Sequence, residues 1–522
     1  MRKITILITA LIFGIGIMAY LYFSKLSDES NNNDLAIKAA SQNACLVFSY
    51  HNDKSFYQII EGQDLLQKII GGNKSKLLND FKRSIMDNDI LFSATKNQPI
   101  YLSLIPDEAN TLNLLITAET TIDKSFSYFE KQLKQQNIEI QKLDSIYSAK
   151  LNDSNLIYFY VKDKLFTASN SAKLVKQSIS NNKTSDFSKF IVGNNNTRTN
   201  VLATLFVNFE AFPSSLKKIL NTKIDGNLTV LNKQKSFAVL NYNFSKEKIL
   251  FNGNTEIVNA NNYIKLFENI EPQEITITNL LPENTANYTV YAFDDYKKWA
   301  ENLNNWLKNI KQKNTAQQLI KNIKEKYRVD LNAIFPVYSK NQFINFQLNT
   351  GEKLGAIYLS NGEKVKQLLI DISENYTEEI KIFKPSDILF GFYGEPFKKF
   401  IRPYYIVKDN YLIFASNAST IQSFLNQYTN NKILIKTPEY ADAMNELSNT
   451  SNVMHYINFK NSSNLFRNTL YKEYYNYFNT TEGVKYFDSF YYQMSADKNK
   501  FTTNLLINKY LETTIPDSTS IR

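Results

Sequence analysis

The sequence predicts an α+β fold: two tandem copies of one unit, each a mainly antiparallel sheet with covering helices, after one N-terminal transmembrane helix. Three observations carry this expectation. Landmarks from the first half of the chain return in order in the second half at a nearly constant displacement. Segments such as Ile344–Leu348 alternate apolar and polar residues, which suits an antiparallel sheet with one covered face. The chain also opens with a long uncharged apolar run.

That run, Ile4–Phe23, follows Arg2 and Lys3 and is about as long as the ~20 residues a helix needs to cross a bilayer core. Tyr20 and Tyr22 stand near its end, and Asp28 and Glu29 follow it. Positive-inside logic then leaves the N-terminus in the cytoplasm and exports the bulk of the chain. A cleaved signal peptide is the alternative. It would have a shorter apolar core and a small-residue cleavage site, of which Ile17-Met18-Ala19 is a poor version. Lipid attachment would require a cysteine directly after the run, and Cys45 lies well downstream. Residues 1–24 are therefore assigned to the anchor and 25–34 to a solvated Ser/Asn/Asp linker.

The repeat is read from matched landmarks. Val161-Lys162-Asp163, Leu165 and Ala168-Ser169-Asn170 return as Val407-Lys408-Asp409, Leu412 and Ala415-Ser416-Asn417. The displacement is 246 before the Lys-Asp turn and 247 after it, which predicts a one-residue insertion at the turn. Ser-Asn then reads as a helix start, with side-chain oxygens capping free N–H groups. Lys96-Asn97-Gln98-x-Ile100 returns as Lys340-Asn341-Gln342-x-Ile344, and Phe206-Val207-Asn208-Phe209 as Tyr456-Ile457-Asn458-Phe459. These matches place copy one at 35–258, a connector at 259–279, copy two at 280–510 and a polar tail at 511–522. Ile275-Thr276-Ile277 is read as a further strand near the join.

The anchor, the linker, the segment "AASQNACLVFSY" and the later "LLPENTANYTVYAF" resemble uncharacterised bacterial envelope proteins of the domain-of-unknown-function type. The resemblance covers most of the chain. It implies a single-pass protein of the bacterial cytoplasmic membrane whose bulk is periplasmic or otherwise extracytoplasmic. It implies no mechanism.

Composition narrows the partners. The net charge of +10 is scattered along 522 residues, whereas a nucleic-acid binder concentrates its charge in a patch or stripe. No nucleic-acid partner is expected. The single cysteine allows no intrachain disulfide, so the exported part must be held by core burial.

The search for chemistry yields no catalytic residue, no cofactor and no metal site. His51 and His455 are the two histidines, and neither is repeated: His51 aligns with Phe293 and His455 with Leu205. Zinc sites need clustered ligands at fixed spacing. Cys45 reads as a small apolar strand residue. Gly71-Gly72-Asn73-Lys74-Ser75 departs from a phosphate loop because Asn73 separates the glycines from the lysine. Asp294-Asp295 reads as a helix start, where acidic residues complement the dipole, and Asp87/Asp89 form the other carboxylate pair.

The candidate interaction surface lies in Phe390–Tyr405, "FGFYGEPFKKFIRPYY": Phe392, Tyr393, Phe397, Lys398, Lys399, Phe400 and Arg402. Exposed rings there could stack on sugars while cations meet phosphate or carboxylate. The structural alternative is a pair of strands with rings inward and cations in water. The expected function is a non-catalytic, membrane-anchored binding or scaffolding protein of the envelope. Its partners would be the membrane through residues 4–23 and an unknown envelope protein, glycan or lipid. A carrier of apolar ligand or lipid in a sheet concavity is the alternative, and an enzyme is least expected.

Overall fold

A computed structural model describes residues 34–61, 68, 72–96, 98–106, 112–120, 126–135, 138–151, 156–162, 164–180, 184–195, 201–222, 235–245, 248–479 and 484–510. The expected anchor, nearly all of the linker, the tail and Asp163 of the first Lys-Asp turn lie outside these residues. Among the described residues no helix is long and apolar enough to cross a membrane. The chain divides into two compact units, residues 1–59 with 76–206 and residues 60–75 with 207–522. The fold is α+β, with extensive antiparallel sheet and covering helices.

The first unit has strands β1 (Leu46–His51), β2 (Pro99–Pro106), β3 (Leu112–Glu119), β4 (Glu139–Leu143), β5 (Ile146–Lys150), β6 (Leu156–Lys162) and β7 (Leu165–Ser169). They pair in the spatial order β4-β5-β6-β7-β3-β2-β1, all antiparallel. Helix α1 (Asp34–Ser41) packs on one face, where Ser103 Oγ donates to Ala40 O at 2.7 Å and Thr117 Oγ1 to Ala36 O at 3.0 Å. The other face carries Ile100, Ile116, Phe159, Phe166 and Ala168, which form a core with Phe81 of helix α2 (Gly72–Phe81). Every residue of β7 is buried. Both faces are thus covered, where the alternation in the sequence suggested one. β8 (Ala203–Asn208) runs through the division between the units.

The second unit contains β9 (Ser236–Phe244), β10 (Lys248–Ile257), β11 (Gln273–Glu274), β12 (Thr285–Ala292), β13 (Ser339–Leu348), β14 (Lys353–Leu359), β15 (Ser373–Asn375), β16 (Lys381–Phe383), β17 (Tyr404–Lys408), β18 (Tyr411–Ala415), β19 (Thr450–Ser451), β20 (Val453–Asn458), β21 (Phe487–Asp497) and β22 (Lys500–Lys509). Its main sheet runs β15-β16-β17-β18-β14-β13-β12-β20-β21-β22-β10-β9. β11 and β19 form a separate small ladder. The β9–β10 hairpin, which the sequence assigns to the end of copy one, lies in this unit because β10 pairs with β22. Ile275-Thr276-Ile277 is not a strand: the short strand is Gln273–Glu274, and a 3-10 turn occupies Ile277–Leu280.

Helices α3 (Ala172–Ser180) and α4 (Tyr296–Asn309) illustrate how local sequence sets the elements. In α4 Asp295 is the N-cap, its Oδ1 accepting from Lys297 N at 2.6 Å and Lys298 N at 3.4 Å. Trp299, Leu303, Trp306 and Leu307 recur at helical spacing and are all buried. With α5 (Lys313–Tyr327) and α6 (Ile388–Tyr393), α4 covers one face, over Tyr291, Phe343, Ile357 and Phe414. The opposite face (Tyr288, Ile344, Phe346, Ile413) is covered by α7 (Ala418–Thr429) and α8 (Pro438–Met444).

The Lys-Asp hairpins correct the expected insertion. Lys162 pairs with Leu165, and Lys408 pairs with Tyr411, so both turns hold two residues. Asp409 (φ 47°) and Asn410 (φ 64°) are left-handed, the geometry a two-residue hairpin requires. The displacement stays at 246 through the turn and on to the helix starts, Ala172 and Ala418. The Ala-Ser-Asn matches are therefore one residue out of phase. Asn417 directly precedes its helix but makes no side-chain capping bond, and the Asn170 amide donates to Asn113 Oδ1 at 3.1 Å. Ile100 and Ile344 likewise occupy different cores, the second unit having a register irregularity between Ser339 and Phe343.

Candidate functional site

The aromatic-basic run forms α6 and a 3-10 turn at Glu395–Phe397, then leads to β17; it is not a pair of strands. Gly394 joins the two turns at φ +73°, and a Cβ there would lie 2.7 Å from the Tyr263 ring, so glycine is required. Phe392, Tyr393, Phe397 and Phe400 are buried in the helix-side core. This corrects the reading of exposed rings: their apolar area is spent on the chain's own core. Lys398, Lys399, Ile401 and Arg402 remain at the surface. Lys398 lies 3.7 Å from Glu395, while Arg402 donates to Phe383 O at 2.8 Å and to Glu374 at 3.2 Å. Partial burial lowers the Lys399 pKa.

Below these rings β14 contributes Gly355 and β18 contributes Phe414, which are register partners. The Phe414 ring lies over the bare glycine; a Cβ at 355 would fall inside its van der Waals envelope and 3.1 Å from Phe397. Phe397 and Phe400 meet Phe414 edge-on at centroid distances of 4.8 and 5.0 Å. All three rings are at most 5% exposed. Phe397 and Phe400 therefore plug the sheet above Gly355.

The first unit carries a different pair at the matching hairpin position. Ala168, third after Leu165 as Phe414 is third after Tyr411, is the register partner of Ile116 on β3. The second unit sets a large residue over a small one, and the first sets a small residue beside a large one. A cavity of about 20 Å³ is left there, lined by Leu77, Leu78 and Phe81 of α2, by Ile116, Ile157 and Ala168 of the sheet, and by the polar Ser169 and Asn170. Leu77, Leu78 and Leu114 around it are half-buried. The stretch from β5 to β6 is only residues 151–155, whereas β16 and β17 are separated by residues 384–403, which hold α6 and both plug rings.

The reactive residue types fall elsewhere. Cys45 is buried, its thiol donating to Leu104 O at 3.3 Å. His51 is exposed at the end of β1. His455 shares a hydrogen bond of 2.9 Å with Thr289, and burial pushes its pKa down to about 4 against a smaller opposing backbone contact at Tyr288. Tyr440 of α8 clusters with Tyr288, Tyr456 and Tyr491 of the sheet, the Tyr288 and Tyr440 hydroxyls 2.7 Å apart. Burial raises the pKa of each, so they serve as neutral packing groups. Burial also raises the pKa of Asp488, with Glu439 adding to the rise and Ser489 and Lys460 opposing it. Among the described residues no three His, Cys, Asp or Glu side chains form a metal-binding group.

Sequence reasoning missed Ala168, Ile116 and the α2 leucines. One signal was available: Gly355 is an isolated glycine inside the strand "KLGAIYL", and such a glycine marks close approach by another group. No protein-family model, curated protein or solved structure matches the chain.

Proposed function

We propose that this is a non-catalytic binding or scaffolding protein of the bacterial envelope, anchored through residues 4–23, whose exported part consists of two copies of one unit. The difference between the Ile116/Ala168 site and the Gly355/Phe414 site carries this reading: half-buried Leu77, Leu78 and Leu114 stand beside the first, and buried Phe397 and Phe400 fill the second. Copy two serves as the closed, structural half, and copy one presents the apolar site.

Three features support the duplication. Strand order β4-β5-β6-β7-β3-β2-β1 parallels β15-β16-β17-β18-β14-β13-β12 element for element. The two-residue hairpins keep one displacement. The closing strands β10 and β22 pair antiparallel with Asn252 opposite Asn504, whose amides bond at 2.6 Å. The carrier reading gains nothing from the apolar cavity, which has room for about one water-sized group and not for an acyl chain.

The test is photo-crosslinking in intact cells, from p-benzoylphenylalanine placed at Leu77 in the full-length chain. A discrete adduct in the envelope fraction is expected, lost when Ile116→Gly/Ala168→Phe closes the site. Absence of any discrete adduct, or its persistence in the closed variant, contradicts the proposal.

A further inference from the structure

We propose that the helices α4 and α5 of the second unit form a docking surface for an anionic phospholipid headgroup layer. The inference rests on the reading of this protein as membrane-anchored, and it names the surface that meets the membrane.

The net charge of the chain gathers on these helices. From Tyr296 to Arg328 nine Lys and Arg stand against two Glu, whereas the whole chain has 60 Lys and Arg against 50 Asp and Glu. The flanking acids are already engaged: Asp294 pairs with Lys298, Asp330 pairs with Lys324, and Asp295 caps α4. Glu325 pairs with Lys321. Lys297, Lys308, Lys311, Lys313, Lys326 and Arg328 form no ion pair among the described residues, and all but the half-buried Lys313 are exposed. Packing accounts for the inner face, where Trp299, Leu303 and Trp306 are buried. The outer face of α4 carries Lys297, Asn304 and Lys308 at helical spacing.

The charge is densest at the turn between the helices, where Lys308, Lys311 and Lys313 fall within six residues. No acid lies between residues 302 and 324. One cation in the last turn, Lys308, complements the dipole of α4. The further like charges repel one another, and an anionic layer relieves that repulsion.

The chemistry of the surface selects its occupant. None of the exposed large apolar side chains lies between residues 296 and 328, so this face suits contact with headgroups without insertion among acyl chains. It presents no exposed ring on which a sugar would stack. Its cations, Arg328 apart, are ammonium groups on flexible stems. They meet mobile phosphates as point charges and lack the fork that fixes one carboxylate of an acidic protein. An anchor raises the local concentration of headgroups, so contacts that are individually weak add up.

The test uses the full-length chain in nanodiscs of phosphatidylcholine, or of an equal mixture of phosphatidylcholine and phosphatidylglycerol. Acylation of lysines is followed by peptide mass spectrometry. In the mixed discs Lys308, Lys311 and Lys313 should react about fivefold more slowly or less. Lys432 and Lys436, exposed between α7 and α8 on the opposite face of the sheet, should react alike in both discs. About 1 M salt, with a Debye length of ~3 Å, should restore the rates. Gln312→Glu/Asn314→Glu, at exposed positions where α5 begins, should remove most of the slowing; Lys311→Gln, read at Lys308 and Lys313, should weaken it. Equal rates in the two discs, or equal slowing of Lys432 and Lys436, would overturn the proposal. Slowing by soluble polyphosphate in neutral discs, with none in mixed discs, assigns the lysines to a soluble polyanion and overturns it too. A chain that enters the discs without protection of the turn leaves the anchored reading standing. A chain that enters neither disc contradicts that reading and this inference with it.

Discussion

Exchanging the Gly355/Phe414 pair for the Ile/Ala pair of the first unit should show strong, compensating coupling. Phe414 is fully buried and packs on Gly355, Phe397 and Phe400. Phe414→Ala alone should cost about 3–5 kcal/mol. Gly355→Ile alone drives four carbons into the space held by the Phe414 ring and should cost about 1–3 kcal/mol or more by overpacking. If the two effects were independent, the double variant would lose about 4–8 kcal/mol. The pair shares one space, however. Removing the ring deletes six carbons and the isoleucine returns four; the deficit is two, worth about 1.6 kcal/mol at ~0.8 per buried carbon. Allowing about 1 kcal/mol for imperfect shape, the double variant should lose about 2–3 kcal/mol, less than Phe414→Ala by itself. Urea unfolding followed by tryptophan fluorescence suits the measurement, because the only two tryptophans, Trp299 and Trp306, both lie on α4 in the same core. Additive losses in the double variant would refute the claim that these positions trade volume.

Other expectations follow from the same core. Asp295→Ala removes the cap of α4 and should cost about 1 kcal/mol, read as a lower urea midpoint of tryptophan fluorescence. His455 has its folded pKa depressed to about 4, below the ordinary value near 6.5. The unfolded chain binds the proton first, so stability from the neutral ring is full above about pH 6.5 and declines as pH falls toward 4. His455→Gln should remove that slope, and the difference between the two proteins' urea midpoints across this window isolates it from carboxylates such as Asp488. Lys248 bridges Asp442 and Glu446 at 3.0 Å each; Lys248→Ala should cost about 1 kcal/mol or less, and the loss should shrink in high salt.

Much of the fold was legible because it rests on local chemistry. The alternation in β13, the helical spacing of Trp299, Leu303 and Trp306, and the acidic residue before α4 each pointed to the element that forms. The run of β7 and β18 did not reveal two covered faces, because five apolar or small residues fit either a one-sided or a two-sided strand. The phase of the Ala-Ser-Asn match was misread for a related reason. Residue identity slipped by one place while hairpin register, which sets the side-chain face, did not. The aromatic-basic run was richest in the residue types that form binding surfaces, yet its rings fill the core. Composition could not distinguish an exposed ring from one that fills the core. The Ile116/Ala168 site has no such conspicuous residues. Its mark is an alanine where the matching position holds phenylalanine, visible only once both hairpins are in register.

The most direct test of a self-filled second unit is to unplug it. Phenol can be titrated into the full-length chain, labelled at isoleucine methyls, and into its Phe397→Ala/Phe400→Ala variant. In the unchanged protein Ile323 and Ile357, in the core that contains the plug, should stay fixed. In the unplugged variant both should shift saturably. A response before unplugging, or none after it, would contradict the account.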